Sequence, residues 1–282
     1  LVLCSFGIVF LHVSANVFND YFDVKDGTDD ANTEYFNAGL NSTVLEGAQL
    51  SGGSRAIELG LISLSGTLSL ARKMLFSAFL VTSALLINSY FITGEVSNAT
   101  NALIIGILGG LLGYFYTARP IRLASRRGLG EIAVFLAFGP LLTLGAYFAI
   151  ASSTIELFSK EFFNALYLGI PFGFLTTNIL FINQFPDTVG DAKTGKNHLV
   201  VTYGKKSSRW IYLFFLVSAF ISSLLLADLF KENLISFNET AFLIGNGLLF
   251  LYGLSAFINV FKNYDSRELI FSNLKTIYLQ IF

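Results

Sequence analysis

Eight runs of apolar sequence divide this chain, covering Leu1–Asn19, Leu70–Phe91, Ala102–Ala118, Glu131–Ile150, Phe162–Asn183, Arg209–Leu229, Thr240–Phe261 and, shortest, Glu268–Phe282. Most match the roughly 17–25 residues a helix needs to cross a bilayer core. Within lipid every backbone amide and carbonyl must be satisfied by the protein itself, so such a chain folds as a bundle of membrane helices. Composition excludes the soluble alternative: 54% of residues are hydrophobic, 15% aromatic and only 13% charged, with a mean hydropathy of +0.64. The expectation is one all-α integral membrane domain spanning residues 1–282. Leu1 already lies in an apolar run and the last run stops at Phe282 without a polar flank, so both terminal spans are expected to be cut. No basic segment precedes the first run, which argues against a signal peptide. A single cysteine, Cys4, excludes a disulfide framework.

The loops between these runs differ in charge. Those near 20–73, 118–129, 184–209 and 262–267 hold 15 Lys and Arg residues, whereas the intervening loops hold only Lys160 and Lys231. Such a bias predicts that the basic loops face the cytoplasm. The lipid bilayer, and no nucleic acid, is the expected macromolecular partner.

Carboxylates are scarce, yet they cluster twice on that same side. The first cluster runs Asn16-Val-Phe-Asn19-Asp20-Tyr-Phe-Asp23 and on to Asp26, Gly27 and Asp29. The second, 167 residues later, runs Asn183-Gln-Phe-Pro-Asp187-Thr-Val-Gly-Asp191 and on to Lys193, Gly195 and Lys196. If the helix continues through the first, Asn16, Asn19, Asp20 and Asp23 share a face. Gly27 then suits the exit turn, after which Asp29 can fold back. Asp187 and Asp191 are likewise one helical turn apart. Magnesium takes hard oxygen ligands, commonly one or two carboxylates together with substrate phosphates. Two acidic walls could therefore clamp a diphosphate through Mg²⁺, with Asn19, Asp20, Asp23, Asp29, Asp187 and Asp191 as candidate ligands. Asp23, Asp187 and Asp191 are the strongest catalytic candidates. Asn16 and Asn183, which open the two strings, are candidate substrate contacts, and Lys193 and Lys196 would add charge on a leaving group. Each cluster alone also reads as a solvated juxtamembrane loop; the recurrence of Asn-x-x-x-Asp after an apolar run favours the catalytic reading.

Between them lies Tyr114-Phe-Tyr116-Thr-Ala-Arg119-Pro-Ile-Arg122-Leu-Ala-Ser-Arg126-Arg127-Gly128-Leu-Gly130-Glu131. Arg119 or Arg122 could bind phosphate oxygens through its guanidinium fork, and Tyr116 could stack on or hydrogen-bond a planar acceptor. Arg126 and Arg127 fit the ordinary task of anchoring a loop at anionic headgroups. The string Ser51-Gly-Gly-Ser54-Arg55 could bring backbone donors and a guanidinium to an anion, although it lacks the ending of a nucleotide-binding loop. His12, one turn before Asn16, is expected to be packed or capped inside the bundle and His198 to fall in a loop. With Cys4 buried, they make neither a zinc site nor a Cys/His nucleophile. Asn41, Asn98 and Asn238 head glycosylation sequons that chance explains in polar loops.

These paired acidic strings and their placement resemble the UbiA superfamily of membrane prenyltransferases along essentially the whole chain. Asn19-Asp20-Tyr-Phe-Asp23 with Gly27 and Asp29, Ser51-Gly-Gly-Ser-Arg55 and Gly128-Leu-Gly-Glu131 look most like its 1,4-dihydroxy-2-naphthoate polyprenyltransferase branch, in menaquinone biosynthesis. The resemblance implies nine helices around a central cavity open laterally to lipid, with both Asp motifs under a cytoplasmic cap; on that pattern the first helix and part of the last are missing. Many members carry a second Asp where this chain has Gly27, and the naphthoate branch uses the later one, here Asp29.

The activity implied is Mg²⁺-dependent ionisation of an allylic polyprenyl diphosphate and capture of the carbocation by an aromatic acceptor. In the naphthoate branch the acceptor also loses a carboxylate. Sister enzymes use 4-hydroxybenzoate or homogentisate. A cation transporter is a further reading, but it would need acidic groups near the bilayer midplane, and these sit at the ends of the spans.

Overall fold

The computed structural model describes residues 1–31, 54, 56–233 and 237–281. Among the described residues every regular element is helical. The chain begins with α1 (Val2–Lys25) and the single turn α2 (Thr28–Ala31), followed by α3 (Leu64–Thr93) and α4 (Ser97–Thr117). Next come α5 (Leu129–Phe138) and α6 (Pro140–Ile150), two halves of one span broken at Gly139, then the 34-residue α7 (Lys160–Lys193). The short α8 (Leu199–Tyr203) leads into α9 (Lys205–Leu225), α10 (Ala227–Asn233), α11 (Glu239–Asn263) and α12 (Ile270–Ile281).

Seven of these segments are long and apolar enough to cross a membrane. The chain is a multi-pass membrane protein with the all-α architecture expected. The eighth apolar run differs: its regular helix, α12, has 12 residues. At about 1.5 Å per residue that is roughly 18 Å, short of the ~30 Å core. Two spans also outrun their apolar windows. α1 continues to Lys25 instead of ending at Asn19, and α7 to Lys193 instead of Asn183. A polar side chain ends hydrophobicity without ending a helix, so both acidic strings remain helical.

The halves of the bundle pack differently. In the C-terminal half, Phe181, Ile182, Phe185, Val200, Tyr212 and Val260 are completely buried in one cluster. The Tyr212 hydroxyl and Thr276 Oγ1 lie 2.7 Å apart, tying α9 to α12, and Asn178 Nδ2 donates to the Tyr212 carbonyl at 3.3 Å. Interhelical hydrogen bonds of this kind average about 0.6 kcal/mol in membranes. At the break before Pro140, a Cβ on Gly139 would stand 2.7 Å from the Gly169 carbonyl oxygen and the Gly173 Cα, so three glycines let the α5–α6 kink seat directly on α7.

The N-terminal half is hollow. α1, α3, α4 and the α5–α6 pair surround an apolar cavity of about 440 Å³. Cys4, Gly7, Leu11, Ser14 and Phe18 of α1 line it, each three or four residues from the next and so on one helical face. Ser14 does not make the wall polar, because its hydroxyl donates to the Ala71 carbonyl at 3.0 Å.

At the end opposite the acidic strings, two of the sequon asparagines have structural work. Asn98 donates to the Ser153 carbonyl and accepts from the Ile155 amide, and Asn238 caps α11 by accepting from the Ala241 amide. Asn41 lies outside the described residues.

Candidate active site at the acidic end of the bundle

Local backbone rules aim both acidic strings at one place. α7 ends in a Schellman turn: the Lys196 amide donates to the Asp191 carbonyl at 2.8 Å and the Gly195 amide to the Ala192 carbonyl at 3.3 Å. Gly195 takes the left-handed conformation (φ +74°) that this turn requires. The chain doubles back, and Lys196 returns across the end of its own helix. At the end of α1 the corresponding residue is Gly27 (φ +75°), which sends α2 onto α7 and buries Asp29.

The two strings meet through Lys196. Its Nζ lies 3.0 Å from Asp23 Oδ2, with side-chain exposures of only 14% and 9%. Asn19 Nδ2 donates to the same oxygen at 3.2 Å. Burial works against the Lys196 ammonium, but the Asp23 and Asp191 carboxylates outweigh it and lift its pKa above the ordinary lysine value. Tyr116 stands within electrostatic reach of Lys196, Glu131, Asp23 and Asp191. A Cβ on Gly130 would lie 3.3 Å from the Tyr116 ring and 3.0 Å from Ala124 Cα, so only glycine fits there without displacement. The string Gly128-Leu-Gly130-Glu131 thus has a local reason: Gly128 caps α5 at φ +85°, Gly130 admits the Tyr116 ring, and Glu131 occupies the first turn.

Asp191 is organised by His198, to which the sequence reading gave no role at the site. His198, expected in a loop, is 2% exposed and caps α8. Its Nε2 lies 3.0 Å from Asp191 Oδ2, while Nδ1 accepts from the Val201 amide at 3.3 Å. Glu131, buried in α5, accepts through Oε1 from Gln184 Nε2 at 3.0 Å and from the Leu199 amide at 3.2 Å. Glu131 therefore staples the loop after α7 to the body of α7. The signal available in sequence was a histidine seven residues beyond Asp191, immediately before a helix.

Other candidates take more varied places. Asp20 accepts from the Ser54 hydroxyl at 2.5 Å; the rest of that string, residues 51–53 and Arg55, lies outside the described residues. Asp187 is half-buried, one turn before Asp191, and Lys193 is exposed. Asp26 pairs with Arg119 and with Arg122, each at 3.4 Å, holding the α4–α5 loop to the end of α1. Arg126 donates to the Pro120 and Ile121 carbonyls, bracing that loop from within. Asn16 contacts His12 at 3.1 Å, and the His12 ring, exposed and not packed inside, meets Phe138 edge-on. Asn183 accepts from Asn273 at 2.6 Å, joining α7 to α12.

Among the described residues no three His, Cys, Asp or Glu side chains converge as a ready metal cage. The donors present are of another kind. Beside Asp23, the Asn19 Oδ1 atom is buried without a described partner, and with the Asp23 and Asp191 carboxylates it makes a set of hard oxygens. Mg²⁺ ordinarily uses one or two carboxylates and completes its shell with phosphate and water, so these residues fit it.

Beneath the mouth, Phe18 and Tyr114 meet edge-to-face at 5.1 Å, and Phe22 and Tyr114 at 5.6 Å. Phe18 and Tyr114 also line the apolar cavity, so aromatic rings connect it to the charged end.

Comparison with known proteins identifies the family. The model of the UbiA prenyltransferase family matches residues 61–269. A 1,4-dihydroxy-2-naphthoate octaprenyltransferase from Haemophilus influenzae is 28% identical over 74% of this chain and 59% of its own length. A chloroplastic 2-carboxy-1,4-naphthoquinone phytyltransferase from Arabidopsis thaliana is 34% identical over 40% of this chain and 30% of its own length. UbiA prenyltransferase domain-containing protein 1 from Dictyostelium discoideum is 28% identical over 60% of this chain and 46% of its own length. The chain thus spans between 30% and 59% of these relatives. No solved structure matches it at a significant level. With a helical bundle, paired acidic helix ends and a family match over most of its length, the chain belongs to the UbiA prenyltransferase family.

Proposed function

We propose that this protein transfers a polyprenyl group from an allylic polyprenyl diphosphate to an aromatic acceptor, with Mg²⁺ as cofactor and 1,4-dihydroxy-2-naphthoate as the acceptor. The observation that carries the reading is the meeting of Asp23 and Asp191 around Lys196 at one end of the bundle. Carboxylates at a helix end, next to an apolar cavity, suit a substrate with an anionic head and a hydrocarbon tail. They do not suit an ion path through the midplane. The cavity of about 440 Å³ lies in the range of about 300–1,000 Å³ usual for ligand pockets.

In this reading Asp23, Asp191 and Asn19 hold the metal, with Asp187, Asp20 and Asp29 next to them in the same two strings. The bound metal supplies positive charge where the departing diphosphate accumulates negative charge. Lys196 adds a fixed ammonium at the same place, and Arg122, oriented by Asp26, approaches from the α4–α5 loop. Phe18, Phe22 and Tyr114 offer ring faces that stabilise a passing allylic cation. Tyr116 is positioned to orient the acceptor. The basic loops around this end favour the cytoplasmic side of the cell membrane for it.

The two naphthoate-related relatives carry their acceptors in their names, and this favours the naphthoate reading for the present chain. Membranes containing the protein should release pyrophosphate from labelled polyprenyl diphosphate only with Mg²⁺ and dihydroxynaphthoate. Transfer to 4-hydroxybenzoate or homogentisate, with none to dihydroxynaphthoate, would overturn the acceptor assignment. Full activity in Asp23→Ala would overturn the site.

A further inference from the structure

The two central carboxylates have different orienting partners. Asp23 is held by an ammonium, Lys196, whereas Asp191 is held by an imidazole. The chemistry of that ring can be read from its neighbours. His198 Nδ1 accepts from the Val201 amide, so it carries no proton. The ring proton is then on Nε2, which donates to Asp191 Oδ2 at 3.0 Å. The exposures of the two side chains are 3% and 5%, so both are enclosed in the fold. The ring is itself fixed, because the next amide along the chain, Leu199, donates to buried Glu131.

We propose that His198 is a positioning residue for metal binding: its Nε2–H fixes the plane of the Asp191 carboxylate without cancelling its charge. Histidine and carboxylate groups behind metal ligands act in this way generally. Here the usual order is inverted, with a carboxylate as ligand and an imidazole behind it. The inference rests on the proposed Mg²⁺ site, and it assigns to His198 a role distinct from capping α8.

Substitution separates the two roles. His198→Thr retains a good N-cap for α8 but has no donor that reaches Asp191. His198→Gln keeps most of the volume and an N–H donor. Mn²⁺ binding to the purified full-length protein in detergent, followed by electron paramagnetic resonance with inorganic pyrophosphate present, reads the site without turnover. His198→Thr is expected to weaken Mn²⁺ binding by about 10–100-fold and to raise the half-saturating Mg²⁺ concentration alike, with kcat at saturating metal within about threefold. His198→Gln should recover much of the loss. Unchanged Mn²⁺ binding in His198→Thr would overturn the proposal and leave the prenyltransferase reading standing. Loss of kcat at saturating metal with an unaltered metal requirement would also overturn it. A wild-type protein that binds Mn²⁺ with pyrophosphate, and loses it in His198→Thr, yet prenylates no acceptor would support the proposal and end the reading of the reaction. No Mn²⁺ binding by wild type would end both.

Discussion

The ends of α1 and α7 are built on one plan and used in opposite ways. Both are helices prolonged past their apolar windows, both carry an aspartate in the last turns, and both turn out through a left-handed glycine, Gly27 and Gly195. At the α1 end, Asp23 and Asp26 pair with Lys196, Arg119 and Arg122 from other loops. After α7 the chain returns at once with Lys196 and His198. The α7 end thus carries its own cation and imidazole close in sequence, whereas the cations paired with Asp23 and Asp26 come from distant loops.

The sharpest way to break this comparison is to remove each aspartate. Asp23→Ala and Asp191→Ala should both lower prenyl transfer by about two to three orders of magnitude, the scale of losing one electrostatic stabiliser. Their stabilities should differ. Without Asp23, the buried Lys196 ammonium has lost its ion-pair partner, an effect of about 3–5 kcal/mol. Without Asp191, His198 loses a hydrogen-bond acceptor, an effect of about 1–3 kcal/mol. Thermal unfolding in detergent should therefore place Asp23→Ala below Asp191→Ala; the reverse order would mean that Lys196 belongs chiefly to the α7 end.

Lys196→Met sharpens the same point. Activity should fall by about a hundredfold, and stability should drop because Asp23 is left buried and unpaired. Adding Asp23→Asn should restore the melting temperature without restoring transfer. A double variant no more stable than Lys196→Met would remove the ion pair as the link between the two ends.

Next in size is the pair Gly195→Ala and Gly27→Ala. Neither Cβ would meet an atom within 4 Å, so each substitution brings only left-handed backbone strain, about 1–2 kcal/mol. Equal strain should have unequal consequences. Gly195→Ala shifts Lys196 and His198 together and should cost roughly tenfold in activity, whereas Gly27→Ala shifts Asp29 and α2 and should cost less. Steady-state transfer assays on the two variants measure the ratio directly.

What could be read in the sequence follows from this contrast. Spans, helical class and both acidic strings are visible because hydropathy and i, i+4 spacing are local quantities. A window average ends the α7 span at Asn183, where polar residues begin, and only the i, i+4 spacing of Asp187 and Asp191 carries the helix on towards Lys193. His198 and Glu131 stayed hidden for a different reason. Their partners lie on α7 and on the chain beyond it, at contacts decided by the Gly139–Gly169–Gly173 crossing and by the turn at Gly195. Spacing cannot reveal a hydrogen bond between Glu131 and Leu199, 68 residues away. The same holds for Asp26, which in sequence is one more carboxylate of the first cluster and in the fold is a loop anchor.

Asp26 supplies the smallest expected effect. Its two guanidinium partners are unequally placed, Arg119 with 70% of its side chain exposed and Arg122 with 17%. Arg122 also has a left-handed backbone (φ +44°) held by its amide to Ala118 and by Ser125 to its carbonyl. Because the backbone is fixed independently, Asp26→Asn should release the guanidinium without unfolding the loop. An ion pair this loose, at 3.4 Å, is taken to contribute about 0.2–1 kcal/mol, and 1 kcal/mol corresponds to about fivefold in affinity. The KM for polyprenyl diphosphate should therefore rise by up to about fivefold with kcat nearly constant, since Arg122 then binds the diphosphate less well in the ground state and transition state alike. A fall in kcat with KM unchanged would instead place Asp26 among the groups that act on the leaving diphosphate, and the α1 end would carry a third working carboxylate.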